Sequence, residues 1–168
     1  MRELIGAWKQ KKTSAKKQNK QLVKKLKQHK GKKLDQLANE QHEEVFEKVD
    51  CLECANCCKS IPPLVNKTDI ARMAKTLNMS VQAFEKEYLT TDEDGDVVMN
   101  QSPCHFLQED NTCFIYEARP KACRQYPHTD SYEFSQNLHL HAPNSMYCPA
   151  VFHILEAVSE KLIVGKGK

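Results

Sequence analysis

The chain contains no apolar run near the roughly 18 residues needed to cross a bilayer. Its amino terminus, MRELIGAWKQKK, lacks the apolar segment of a secretory signal. These two absences predict a cytoplasmic protein with no membrane span. Cysteine is absent before Cys51 and after Cys148, and residues 1–33 contain no proline and only one acid, Glu3. Hydrophobic residues are scarce as well, at 40% of 168 residues, against about 45–50% in average domains. The apolar core is therefore modest and wants a staple. At about 100–200 residues per core, the length allows one domain with an appendage and argues against two independent cores.

What is present is unevenly distributed. Residues 1–33 hold twelve lysines and Arg2 against Glu3, a net of +12; residues 34–50 carry a net of −5, and the remainder −4. With few apolar residues among them, residues 1–33 read as a Lys-rich helix or arm, and residues 34–168 as the domain proper. Lysine blocks attract phosphate backbones and acidic surfaces in a salt-dependent way. Nucleic acid or an acidic protein is thus a partner candidate for this segment, the alternatives being a solubilising face or an arm folded back on the acidic stretch that follows.

Periodicity supplies the helices. Leu34, Leu37, Ala38, Gln41, Val45 and Val49 recur at three- and four-residue steps and predict a docked helix leading into Cys51. A second helix is expected near 69–77, capped by Thr68 or Asp69 and ending at Asn78, and a third after Ser80 with Val81, Phe84, Tyr88 and Leu89 on one face. TDEDGDVVM reads as a turn entering a strand at Val97–Met99; its acids do not make a calcium loop, because Val97 and Pro103 stand where Gly and Glu are required. A hairpin around QEDNTC would bring Cys104 and Cys113 together. The last helix starts with Pro149 and presents Val151, Ile154, Leu155, Val158 and Leu162.

The cysteines are the chemistry. CLECANCC places Cys51, Cys54, Cys57 and Cys58 within eight residues, and Cys104, Cys113, Cys123 and Cys148 follow. A C-x2-C pair lets two thiolates reach one ion. The run of three at this spacing also matches the start of a ferredoxin cluster motif, for which Cys148-Pro149 could supply the distant fourth ligand. Neighbours such as Cys57 and Cys58 are expected to point apart and to serve two centres. Tetrahedral sulfur suits zinc or an iron-sulfur cluster alike. A disulfide framework is disfavoured in the reducing cytoplasm. Thiol-disulfide exchange at CLEC is disfavoured by the helical residues before it. His105, His128, His139 and His141, the last two alternating on a strand face, read as surface or packed histidines and not as ligands.

CLECANCC, DIARMAKTLNMSVQAFEKEYL, CHFLQEDNTCFIYEARPKACRQYP and the final CP together resemble the YkgJ-type cysteine-cluster family, CxxCxxCC, a zinc- or iron-chelating domain. The resemblance covers about residues 50–155 and implies metal chelation by all eight cysteines. A relative of this domain occurs in bacterial flagellin lysine methylases, but this chain has no glycine-rich nucleotide loop. Where the family has a glycine near the first cluster, this chain has Asn56, which tolerates a left-handed backbone. Pro120 is expected to start a short helical turn presenting Cys123, and Pro127 to end it. Arg119 and Arg124 would then donate to sulfur or to a nearby carbonyl, offsetting the charge of the thiolates, unless they pair with Glu117 or Glu109.

The resulting expectation is a small, helix-rich α+β domain with a short hairpin or small sheet, organised around a cysteine metal centre holding zinc, iron or an iron-sulfur cluster. Two other classes compete: a metal-stabilised binding module working through its basic arm, and an iron-sulfur enzyme or methylase-related protein.

Overall fold

The computed structural model describes residues 1–29, 31–130 and 133–164, so Lys30 of the basic segment lies outside it. In chain order the elements are α1 (Arg2–Leu26), α2 (Gly31–Phe46), α3 (Cys51–Cys54), α4 (Asn56–Ser60), α5 (Lys67–Thr76), α6 (Val81–Tyr88), β1 (Leu89–Thr91) and β2 (Val97–Met99). A 3-10 turn at Tyr116–Ala118, then α7 (Lys121–Gln125), α8 (Leu138–Asn144) and α9 (Pro149–Val164) complete the described chain. The helix-rich α+β class expected from the sequence is the observed one. No described helix is long and apolar enough to cross a membrane.

Two compact units form. The first joins Met1–Glu53 to Pro127–Lys168, and the second is Cys54–Tyr126.

In the first unit α1 is rich in Lys, Gln and Ala, all good helix formers, with Glu3 in its first turn and Lys24 and Lys25 in its last, where the helix dipole favours each sign. It is not solvated all round. Trp8, Ala15, Asn19, Val23 and Leu26 are buried on one side, against α8 and α9. The Trp8 indole Nε1 donates to the Ser145 carbonyl at 2.9 Å, and Asn19 donates to the Ser145 hydroxyl at 3.0 Å. An indole that is both buried and bonded fixes the helix in rotation as well as position.

The core of this unit gathers Leu26, Leu34, Ala38, Phe134, Leu138, Val151, Ile154, Leu155 and Val158, so the predicted apolar faces of α2 and α9 are the buried ones. Asp35, itself buried, accepts from the Ser135 backbone N–H at 2.6 Å and from its hydroxyl at 3.1 Å, which pins the stretch before α8.

The second unit is built on α5, α6 and the hairpin. Asn66 caps α5 by accepting from the Asp69 backbone N–H at 2.9 Å, while the Asp69 carboxylate accepts from the Asn66 N–H at 3.3 Å. The cap is therefore Asn66, two residues before Thr68 and three before Asp69, the predicted candidates. Only there do a side-chain acceptor and an acid three residues on close the reciprocal box. The Ser80 cap of α6 is as expected, its hydroxyl accepting from Ala83 N–H at 3.2 Å. Asn78, at φ 55°, takes the left-handed exit from α5.

Antiparallel β1 and β2 pair Leu89 with Met99 and Thr91 with Val97. They turn through an Asp92 carboxylate that accepts from the N–H groups of Asp94 and Asp96, with Gly95 at φ +85°. Val65, Ile70, Met73, Ala74, Phe84, Met99, Phe106, Ile115 and Ala118 form the core.

One predicted placement fails: His139 and His141 lie in α8 and not on a strand. The alternation of apolar and polar residues over so short a stretch fits either period, and burial of Leu138, His141 and Ala142 settles it as helical. His141 is fully buried, stacks on Phe134 with ring centroids 4.0 Å apart, and donates from Nε2 to the Phe134 carbonyl at 3.1 Å. Burial pushes its pKa down to about 4, with the charges of His128 and His139 adding and the bond to Phe134 opposing.

The folded pKa lies below the ordinary 6.5, so unfolded chain binds the extra proton between these values. Stability contributed by neutral His141 is complete above about pH 6.5 and is lost as pH falls toward 4. Denaturant titrations should show stability falling across that window by up to about 1.4 kcal/mol per pH unit. His141→Phe should flatten this limb, leaving a residual slope from His42 and His128, whose pKa values burial also lowers.

Candidate metal centre

Six of the eight cysteines, Cys54, Cys57, Cys58, Cys104, Cys113 and Cys123, belong to the second unit; Cys51 and Cys148 belong to the first. All eight are thiols, none in a disulfide. Cys51 is exposed at the start of α3, and Cys148 packs at the edge of the first unit's core.

The chain enters α4 through Ala55, which is in the left-handed region at φ 46° and ψ 20°. The special backbone position is thus Ala55 and not Asn56, which begins the helix. An alanine there costs about 1–2 kcal/mol relative to ordinary backbone. The turn that follows is held by N–H donation from Lys59 to the Ala55 carbonyl at 3.1 Å and from Ile61 to that of Cys57 at 2.9 Å. It brings the sulfurs of Cys57 and Cys58 within 3.9 Å of each other, closer than the divergence expected of chain neighbours. Adjacent residues on a helix are about 100° apart, near enough for two flexible thiols to touch.

The Cys104–Cys113 segment is tied directly to α4, because Cys104 N–H donates to the Cys58 carbonyl at 2.9 Å. The expected hairpin is present. Leu107 bridges antiparallel to Cys113, Gln108 N–H donates to Thr112 O at 2.9 Å, and the tip turns on Asn111 at φ 66° with Asp110 accepting from Thr112 N–H. Past Cys113, the 3-10 turn leads to Pro120 and α7, whose short coil carries Cys123 and ends before Pro127. Pro120 is the cap of this helix and not its first residue.

What fixes this last segment is Asp69, which the sequence reading took only as a possible helix cap. Its side chain is 2% exposed. It pairs with the Arg72 guanidinium and accepts from Lys121 N–H at 3.1 Å, so one carboxylate joins α5 to the start of α7. Arg72 continues the clamp, donating from Nε to the Ala118 carbonyl at 3.3 Å and from Nη2 to the Arg119 carbonyl at 2.9 Å. Arg124 donates to the same Arg119 carbonyl at 2.9 Å, and its guanidinium lies 4.0 Å from Asp69. Arg124 thus takes the carbonyl option of its two expected roles; its acidic neighbour is Asp69 and not Glu117 or Glu109. The spacing Asn66-x-x-Asp69-x-x-Arg72 was the available signal, a capping box overlapping an i,i+3 ion pair.

Burial resists ionisation of Asp69, but Arg72 and the N–H groups of Lys121 and Asn66 outweigh it and hold the pKa below the ordinary 3.8.

Arg119 lies near enough to Cys58, Cys113 and Cys123 for its charge to act on all three. Its guanidinium stacks on the Tyr116 ring, 3.6 Å from the centroid. Its buried Nε has no hydrogen-bond partner among the described residues. Four thiols from three segments sense one another's charge. Burial, reinforced by the charges of Cys58, Cys104 and Cys113 and opposed by Arg119, pushes Cys123 up to about 12. Burial also raises Cys104, with Cys58 and Cys113 adding, and raises Cys113, with Cys58 adding and Arg119 opposing. Cys58 goes the other way, down to about 7. The hydrogen bond from Cys57 is the main cause, with burial opposing and its own backbone N–H, Arg119 and Lys59 assisting. The group therefore contains one thiol ready to ionise, three held neutral, and one half-buried cation whose buried Nε is a donor to spare.

Among the described residues, no three Cys, His, Asp or Glu side chains close on a point as an ion's ligands would. The sulfurs form a shared electrostatic neighbourhood and not a closed shell. His105 is engaged elsewhere, its Nε2 2.7 Å from the Asn100 side-chain oxygen and its ring edge-on to Tyr88.

The chain matches the CxxCxxCC family, "Putative zinc- or iron-chelating domain", over residues 50–149, a span that contains all eight cysteines and the whole second unit. It belongs to that family. No curated protein and no solved structure matches it.

Asp69→Asn should destabilise the second unit, by less than the about 3–5 kcal/mol of a fully buried broken pair because Arg72, which loses its counter-charge, is 30% exposed. The sign with pH follows from the depressed carboxyl. Its contribution is present above pH 3.8 and is lost as pH falls below that value. The gap between wild type and variant in denaturant midpoints should therefore narrow on acidification.

Proposed function

We propose that this chain binds zinc or iron through thiolates of the second unit, with Cys58, Cys104, Cys113 and Cys123 as the principal ligands. The reading is carried by one observation: α4 is bonded to the Cys104 segment, Cys104 N–H donating to the Cys58 carbonyl at 2.9 Å, and α4, the hairpin and α7 bring four thiols within electrostatic range of one another, with half-buried Arg119 near three of them. Cys54 and Cys57 stand beside Cys58 along the chain and are further ligands of the same region. Cys51 and Cys148, in the first unit, are the other two of the eight thiols within the family span.

The donor chemistry suits the ion. Crowding neutral thiols raises their pKa values, since each thiolate repels the next; a divalent cation among them reverses that repulsion and drives the protons off. Thiolate selects zinc, iron or an iron-sulfur cluster over hard cations such as magnesium. The unpartnered Arg119 Nε is a donor suited to a metal-bound sulfur, and Arg72 and Arg124 hold the Arg119 backbone from behind. Arg119 thereby offsets the net negative charge of a thiolate centre, the role that outer-shell donors play in tuning affinity and potential. Bound zinc would brace the unit, whereas iron or an iron-sulfur cluster would add one-electron chemistry.

Binding releases thiol protons, so affinity should rise with pH. Protein purified without oxygen should contain zinc or iron in stoichiometric amount; brown colour with acid-labile sulfide would identify a cluster, and colourless zinc protein a bracing role. Cys58→Ser and Cys123→Ser should each lose metal. Arg119→Gln should keep its helical circular-dichroism signal while metal affinity, measured by chelator competition, falls by about 10–100-fold. Full metal content in both cysteine variants, or native protein free of zinc and iron, would overturn the assignment.

A further inference from the structure

Docking α1 by one side has a consequence for the other. With Trp8, Ala15, Asn19, Val23 and Leu26 turned inward, the lysines are sorted onto the solvent side. Lys9, Lys16, Lys20 and Lys27 are all exposed and follow at seven-, four- and seven-residue steps, which are close to whole helical turns. Lys17 and Lys24 are exposed alongside them. From Lys9 to Lys27 the row runs about 27 Å at a rise of 1.5 Å per residue. Among the described residues none of the six enters an ion pair.

We propose that the outer face of α1 binds the phosphate backbone of a nucleic-acid duplex, independently of any metal. A rigid row of cations suits a rigid polyanion with a high density of charge along its axis. Over about 27 Å a duplex presents about sixteen phosphates, at one charge per 1.7 Å of axis. A lipid surface is a poorer match, because membrane-lying helices insert exposed apolar residues. The large apolar side chains of α1, Trp8, Val23 and Leu26, are spent on the first unit's core. The outer face supplies lysines, glutamines, Thr13 and Ser14, which carry charge and hydrogen bonds to phosphate but no fork-shaped donors for bases. Binding is accordingly sequence-independent and strongly weakened by salt.

The test titrates the full chain into a fluorescent duplex of about 25 base pairs at salt from about 50 to about 200 mM, following anisotropy. Single strands of equal length, phosphatidylserine vesicles and poly-glutamate serve as competitors. The expected result is duplex binding in the micromolar range or tighter near physiological salt, with the duplex preferred over every competitor. Lys16→Glu/Lys20→Glu/Lys24→Glu should weaken binding at least about tenfold and reduce the salt slope by about 0.9 for each lysine lost. Glutamate and glutamine have helix propensities near that of lysine, so α1 should persist; should the charge reversals unfold it, the corresponding glutamine triple carries the same test with the same sign. Lys67→Glu/Lys75→Glu/Lys86→Glu makes the same change of net charge on exposed positions of the second unit and should retain most of the affinity. Equal losses in the two triple variants, no measurable duplex binding by wild type, or preference for single strands, vesicles or poly-glutamate would each overturn the proposal.

Discussion

The buried carboxylate of Asp69 closes the cap of α5, faces Arg72, and receives the backbone N–H that begins α7. Through Arg72 and Arg124 the same cluster grips the carbonyl of Arg119. A charge taken out of water is tolerated only when its neighbours replace the lost solvation. Here that requirement makes the carboxylate choose the position of a loop about fifty residues away in sequence. Arg119 and Cys123 sit on that loop. Whatever the thiols hold, the geometry that presents them depends on this ion pair and its hydrogen bonds.

The thiols themselves are arranged against their own preference. Burial raises three of the four pKa values among Cys58, Cys104, Cys113 and Cys123, and the charges of the neighbouring thiols add to it. Arg119 is a positive group that acts on Cys58, Cys113 and Cys123 alike. Its buried Nε has no hydrogen-bond partner among the described residues, which is uncommon for a buried donor.

The first unit solves a different problem. A helix with a net charge as high as that of α1 does not fold by itself into a core. A single tryptophan, a buried asparagine and the Ser145 corner supply a narrow seam that holds it. Because the seam is narrow, the rest of the helix surface remains available to solvent, and the lysines occupy it. Stability and charge display are thereby separated onto two sides of one element.

Local chemistry was legible in the sequence wherever a short-range rule applied. The helical stripes of α2 and α9, the Ser80 cap, the Asn78 exit, the strand at Val97–Met99 and the Cys104–Cys113 hairpin follow from periodicity, capping and turn residues. So does membership of a cysteine-cluster family, since ordered thiol spacing is itself a sequence property. The strand reading of His139 and His141 failed because so few residues fit both periods. The left-handed residue was misplaced because an alanine gives no compositional warning of strain. What only the tertiary structure decided were contacts made across long separations: Trp8 on Ser145, Asp35 on Ser135, Asp69 on Lys121, and Cys58 sensing Cys104, Cys113 and Cys123. Their partners are selected by burial, which no local pattern encodes. Thiol number and order are written in the chain, but which sulfurs share an electrostatic field is set by how the backbone is folded and desolvated around them.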